Sequence, residues 1–255
     1  MVFLETQFHV RTHDLWHGYI LENQGLIVEP RITVTLAGQD QSIVYFGAGQ
    51  SFHSAQSLSS PTATADAFFE ANFFVGTGRP VGEKWWADLM FLTLTSPNGG
   101  FGTNQELGWT MRYTGLPNWN LGDQAVQSSP YAKVAWELDG QIDAGTEEGT
   151  YLEIGLDNRC DQADGSRWRL PIRAGFSLDR YYELGGSDQT FGFFEIGLAY
   201  DCPLTWIPAE QGRWTFHAGV HYLRVSDNVV GLTTGAITGG DKDVVHGSVG
   251  LSMNY

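Results

Sequence analysis

Five of the seven histidines sit at one parity of three alternating segments: His9 and His13, His217 and His221, and His246. Imidazole changes charge near pH ~6.5 and commonly ligates transition metals, so such a group could form a pH-responsive gate or a metal site. The same residues also serve as compact polar side chains facing water. Arg167, Arg169 and Arg173 repeat along one face of a fourth segment, with Glu195 and Asp201 on one face of the next. That charge ladder could orient passing solutes by a transverse field, or pair across strands to offset buried charge. Two cysteines, Cys160 and Cys202, could form a disulfide in an oxidising compartment if their Cα atoms approach within about 7 Å. Otherwise they are free thiols, with Cys202 facing lipid.

Other chemistry is poorly supplied. No Cys/His spacing suggests zinc, so no metal is expected, and no cofactor. The loop Thr238-Gly239-Gly240-Asp241-Lys242-Asp243 lacks the alternating oxygen ligands of a calcium loop. Neither a Gly-x-Ser-x-Gly elbow, a phosphate loop nor a His-Glu-x-x-His motif is present. Ser51-Phe52-His53-Ser54 holds a Ser and a His too close in sequence for a good triad, so no enzyme is expected.

The elements that must position these residues alternate with period two. From Val245 the odd positions Val245, Gly247, Val249, Leu251, Met253 and Tyr255 oppose His246, Ser248, Gly250, Ser252 and Asn254. Segments 213–225, 194–202, 167–178, 150–157, 131–139, 105–113, 30–36 and 3–11 repeat the pattern. Segments 42–49, 66–75 and 84–94 are weaker, because Leu89-Met90-Phe91-Leu92 puts apolar groups on both faces. The total is about twelve strands, near the nine to eleven residues of a tilted bilayer-crossing strand. Links after even strands are mostly shorter than those after odd ones, with 114–130 and 202–212 as exceptions. Short turns on one side and long loops on the other suit an outer-membrane barrel. No linker divides residues 1–255, which read as one barrel domain.

Composition narrows the solvents involved. With 14 Lys+Arg against 29 Asp+Glu and a net charge of −15, the chain is a poor nucleic-acid partner. Its 13% aromatic residues are too many for a disordered acidic chain. A soluble sandwich also alternates, so the polar face must decide. Here it mixes both charge signs with Gly and Ser, as a packed or water-filled lumen does. On the apolar face Trp168 and Trp214 begin up-going strands, while Tyr113, Tyr200 and Tyr255 end down-going ones. All five would then lie near one rim, as interface aromatics do.

The final segment VHGSVGLSMNY resembles the C-terminal signal by which Gram-negative outer-membrane barrels are recognised for insertion. The rest of the chain is similar to a little-characterised, porin-like family of such barrels. Thr12-His13-Asp14-Leu15-Trp16-His17-Gly18 followed by Pro30 stands where that family has a Ser-x-Tyr-x-x-Arg-Gly-like motif, with His17 in the place of the Arg. Tyr113 to Pro117, and Pro130 through Asp139, Gly149 and Tyr151, match its later elements loosely. The resemblance implies lipid bilayer and insertion-machinery partners and an outer-membrane location. Met1-Val2-Phe3-Leu4-Glu5 shows no export leader, so the expectation is a mature form whose signal has been replaced by Met1.

The sequence therefore predicts an all-β, antiparallel up-and-down transmembrane β-barrel of about twelve strands. The expected function is porin-like passive passage of small polar solutes. Its rivals are a non-conducting structural or surface-interaction barrel and a soluble glycan-binding β-sandwich using Trp16 and Trp119; oligomeric state is left open.

Overall fold

The computed structural model describes residues 1–55, 67–141, 147–232 and 241–255. Twelve long antiparallel strands close into a barrel. They are β1 (Val2–Arg11), β2 (Ile27–Ala37), β3 (Ile43–His53), β4 (Phe68–Val81), β5 (Trp85–Thr95), β6 (Asn104–Tyr113), β7 (Gln124–Asp139), β8 (Thr150–Asp161), β9 (Arg167–Asp179), β10 (Phe191–Pro203), β11 (Arg213–Val225) and β12 (Asp243–Asn254). Every strand pairs with its sequence neighbours, and β12 pairs with β1 in the register Phe8↔Leu251 and His9↔Gly250. Two further bonds seal this seam, Leu4 N–H to Tyr255 O at 3.0 Å and Tyr255 N–H to Leu4 O at 2.8 Å. Closure excludes the sandwich alternative: the twelve long strands form one closed sheet with no free edge among them, which satisfies their ladders in a membrane.

The outward face is apolar and uncovered. Phe8, Ile32, Phe46, Phe73, Trp109, Ile154, Leu198 and Val249, on eight of the twelve strands, are all exposed. A belt of this kind is stable only against a hydrocarbon solvent. The ladder also revises the turns. The GTGRPVGE stretch is mostly strand, because β4 runs to Val81, and β8 runs to Asp161. The long link 114–130 is largely the start of β7, paired with a short strand Trp119–Leu121, and a 3₁₀ turn at Ala209–Gln211 compacts 202–212. Both exceptions to the short-turn rule are thus folded structure on the rim.

The buried core lies at the long-loop end. The segment after β1 folds back as a hairpin, Asp14–Trp16 against Tyr19–Glu22, with His17 and Gly18 both at positive φ (44° and 92°). Two consecutive positive φ values suit a two-residue turn whose twist matches the strands. The hairpin enters the barrel mouth, where Tyr19 and Ile20 pack against Tyr151, Tyr181, Tyr182, Phe193, Leu223 and Val229. Trp16 leans on a second cluster of Phe74, Leu92 and Leu94. This explains the weak alternation of 84–94: Leu92 and Leu94 face inward, yet they meet the hairpin rather than water.

Candidate functional site

Below the hairpin lies a lumenal cavity of about 840 Å³. Trp16 and His17 line its upper part, and Asp157, Arg167 and Arg169 line it toward the short-turn end. Its wall holds six Lys or Arg side chains, Arg11, Arg31, Lys133, Arg167, Arg169 and Arg173, and four carboxylates, Glu153, Asp157, Glu195 and Asp201. The chain is strongly acidic, yet its cavity is walled by an excess of cations.

The five histidines gather on the adjacent strands β11, β12 and β1 with the loop that follows, in two tiers. In the lower tier the His9 and His217 rings stack with centroids 5.7 Å apart. His217 Nδ1 lies 2.8 Å from Asp201 Oδ1, and its Nε2 lies 2.8 Å from Ser252 Oγ. In the upper tier the His221 and His246 rings stack at 4.9 Å, with His13 at 6.1 Å from His246. His221 Nδ1 is 2.9 Å from Glu195 Oε1. Glycine makes the room: a Cβ on Gly197 would stand 2.3 Å from His221 Nδ1.

The arginine ladder is paired along its length. Arg169 meets Asp201 at 2.8 Å, and Arg173 meets Glu195 at 2.8 Å and Glu153 at 3.5 Å. Arg167 turns instead to Asp161 at 2.5 Å, away from its register partner Asp201. Cations and anions alternate within single contacts, which is the charge-pairing arrangement rather than two opposed walls. Arg31 differs, making no ion pair among the described residues, with its guanidinium 4.1 Å above the Phe74 ring.

Two clusters escaped the sequence reading. His17 stacks on Tyr151 at 4.0 Å, and Lys133 Nζ donates to His17 Nε2 at 3.0 Å while also meeting Glu106 at 3.1 Å. An ammonium donating to Nε2 requires a neutral ring whose Nδ1–H donates to the Tyr181 hydroxyl. Burial, followed by the nearby Lys133 and Arg173 charges, holds the His17 pKa well below its ordinary value. His53 ends β3 and is buried against Asp14 and Ser51. Both partners meet one nitrogen, Nε2, at 3.0 and 2.8 Å, whereas the buried Nδ1 makes no hydrogen bond among the described residues. A nucleophile relay uses the two nitrogens of the base on two different partners, whereas here Asp14 and Ser51 share one. The signal for both clusters was present in the apolar Leu15-Trp16 and Tyr19-Ile20-Leu21 pairs inside a supposed loop.

Of the two alternatives for the cysteines, the structure shows free thiols at Cys160 and Cys202 rather than a disulfide. Cys160 pairs with Trp168 and Trp168 with Tyr200, so a whole strand separates the two cysteines. Two interstrand spacings total about 9.5 Å, beyond disulfide reach. Of the five rim aromatics, Trp168 contacts Tyr200 at 4.6 Å and Tyr113 contacts Trp85 at 4.9 Å. Trp214 Nε1 donates to Gln211 O at 2.9 Å, and Tyr255 is exposed beside the seam; all five stand at the short-turn end. Residues 238–240 of the loop weighed for calcium lie outside the described residues.

No family model matches the chain, and no curated protein matches it in sequence. Among solved structures, the NanC porin superposes with a TM-score of 0.51 at 11% sequence identity, covering 98% of this chain and 98% of that one. LpxR from Salmonella typhimurium gives 0.52 at 8% identity over 98% of this chain and 99% of its own. At such identities the likeness is one of fold, that of the outer-membrane β-barrels. Together with the apolar outer face it places the chain in the outer membrane.

Proposed function

We propose that the chain is a porin-like channel for passive passage of small polar solutes, without chemistry or cofactor. The observation that carries this reading is the cavity of about 840 Å³ along the barrel interior, walled by charged side chains, with Arg31 making no ion pair among the described residues. A wet, charged lumen favours hydrated polar solutes over apolar ones. The shared fold with the NanC porin is in keeping with it. The terminal strand, ending in the exposed Tyr255, is the segment we assign to the barrel-insertion machinery.

One observation favours a second reading, a non-conducting barrel: the Asp14–Glu22 hairpin is docked in the mouth with Tyr19 and Ile20 fully buried. Reconstitution of the purified protein in planar bilayers tests both. Discrete conductance steps support the channel. Their absence, both in the native chain and in a variant whose hairpin is loosened, sinks it and leaves the structural barrel.

A further inference from the structure

The upper histidine tier holds more than a charge pair needs. Glu195, His221 and His246 each offer one ligand atom, and the three atoms lie within 4.8 Å of one another. His221 Nδ1 and Glu195 Oε1 already share a hydrogen bond at 2.9 Å. His246 is only 8% exposed, and its buried Nε2 makes no hydrogen bond among the described residues, lying 3.9 Å from Glu195 Oε2. A buried ring nitrogen that makes no hydrogen bond carries an uncompensated desolvation cost, which a bound ligand would remove.

We propose that Glu195, His221 and His246 bind a divalent transition-metal ion of the zinc type in the lumen wall. Two imidazoles and one carboxylate suit a borderline cation, and three protein ligands leave a position open to water from the cavity that all three line. Zinc bonds of about 2.0–2.1 Å at tetrahedral angles set ligand atoms about 3.3 Å apart. The widest pair therefore closes by about 1.5 Å, within the reach of side-chain torsions on a fixed barrel. Around the site, Arg173 Nη2 holds Glu195 Oε2 at 2.8 Å and orients the carboxylate, as outer partners of metal ligands do. Its positive charge opposes the ion, while Glu153, 3.5 Å from Arg173, offsets part of that charge. The metal would tie β10, β11 and β12 together at one height of the lumen, beside the seam that closes the barrel.

The test uses the full-length barrel in detergent, free of any histidine tag, titrated with Zn²⁺ and with Co²⁺ as a spectroscopic probe. The expected result is one saturable ion per chain, with tetrahedral Co²⁺ bands. His246→Gln and His221→Gln must each weaken binding by more than the roughly 10–100-fold typical of losing an outer partner. No saturable binding, or unchanged binding in both variants, overturns the proposal. X-ray absorption of the zinc-loaded native protein gives an independent reading should a variant fail to fold: about two imidazoles per ion support the site, and none overturns it.

Discussion

Replacing Ile20 by Ala loosens the hairpin in the barrel mouth without touching the barrel's own hydrogen bonds. Ile20 is 2% exposed and packs in the cluster of Tyr151, Tyr181, Tyr182 and Phe193. The change deletes three carbons, worth about 2.4 kcal/mol at ~0.8 kcal/mol each. If nothing collapses into the space, a void of about 80 Å³ adds up to ~2 kcal/mol. Partial collapse gives a working value of about 3 kcal/mol, which raises the undocked population roughly 150-fold. Because the hairpin forms its own two-stranded sheet and meets the barrel through packing and side-chain bonds, such as Tyr182 Oη to His17 O at 2.8 Å, the loss should fall mainly on the hairpin. Native-state hydrogen exchange reads this directly. Amides between Leu15 and Leu21 should exchange about 100-fold faster, while those of β10 and β11 keep their protection. If the hairpin amides change less than about fivefold, or barrel strands lose protection equally, the hairpin is not a separately docked unit and the reasoning fails.

Acid should release the same hairpin. The docked His17 resists protonation while an undocked one titrates near its ordinary 6.5, so the undocked state binds more protons and docking weakens as pH falls below 6.5 toward the depressed value. Hairpin exchange, corrected for intrinsic rates, should rise by up to about tenfold per pH unit between pH 6 and 5, and a flat profile would count against a neutral buried imidazole. Arg173→Met removes the cation shared by two carboxylates, Glu195 and Glu153, that are 5% and 8% exposed at the side chain. Urea unfolding followed by tryptophan fluorescence should show a loss of about 2–3 kcal/mol, against less than ~1 kcal/mol for Arg169→Ala, whose side chain is 46% exposed. Two thiols per chain should titrate in denaturant without reductant, and Cys160→Ser with Cys202→Ser should leave the melting temperature unmoved; a single disulfide by mass would contradict the register.

What the amino-acid order determined by itself was parity. Period-two alternation is a local property of an extended chain, so which side of each strand His9, Arg173, Glu195, His217 and His246 occupy could be read before any strand had a partner. The same parity marked Phe73, Leu198 and Val249 for the outside and made twelve crossings countable. What only the tertiary structure decided was everything that depends on height and on crossing between strands. Cys160 and Cys202 share a side of the barrel, yet register sets a strand between them. Arg167 shares parity with Arg169 but pairs with Asp161. The five histidines split into two tiers because ladder register, which no single strand carries, puts His221 opposite His246 and His217 opposite Gly250. Least legible was the stretch from Asp14 to Glu22, which reads as a loop because its partners, Tyr151, Tyr181 and Phe193, lie more than a hundred residues away and face inward only once the sheet has closed.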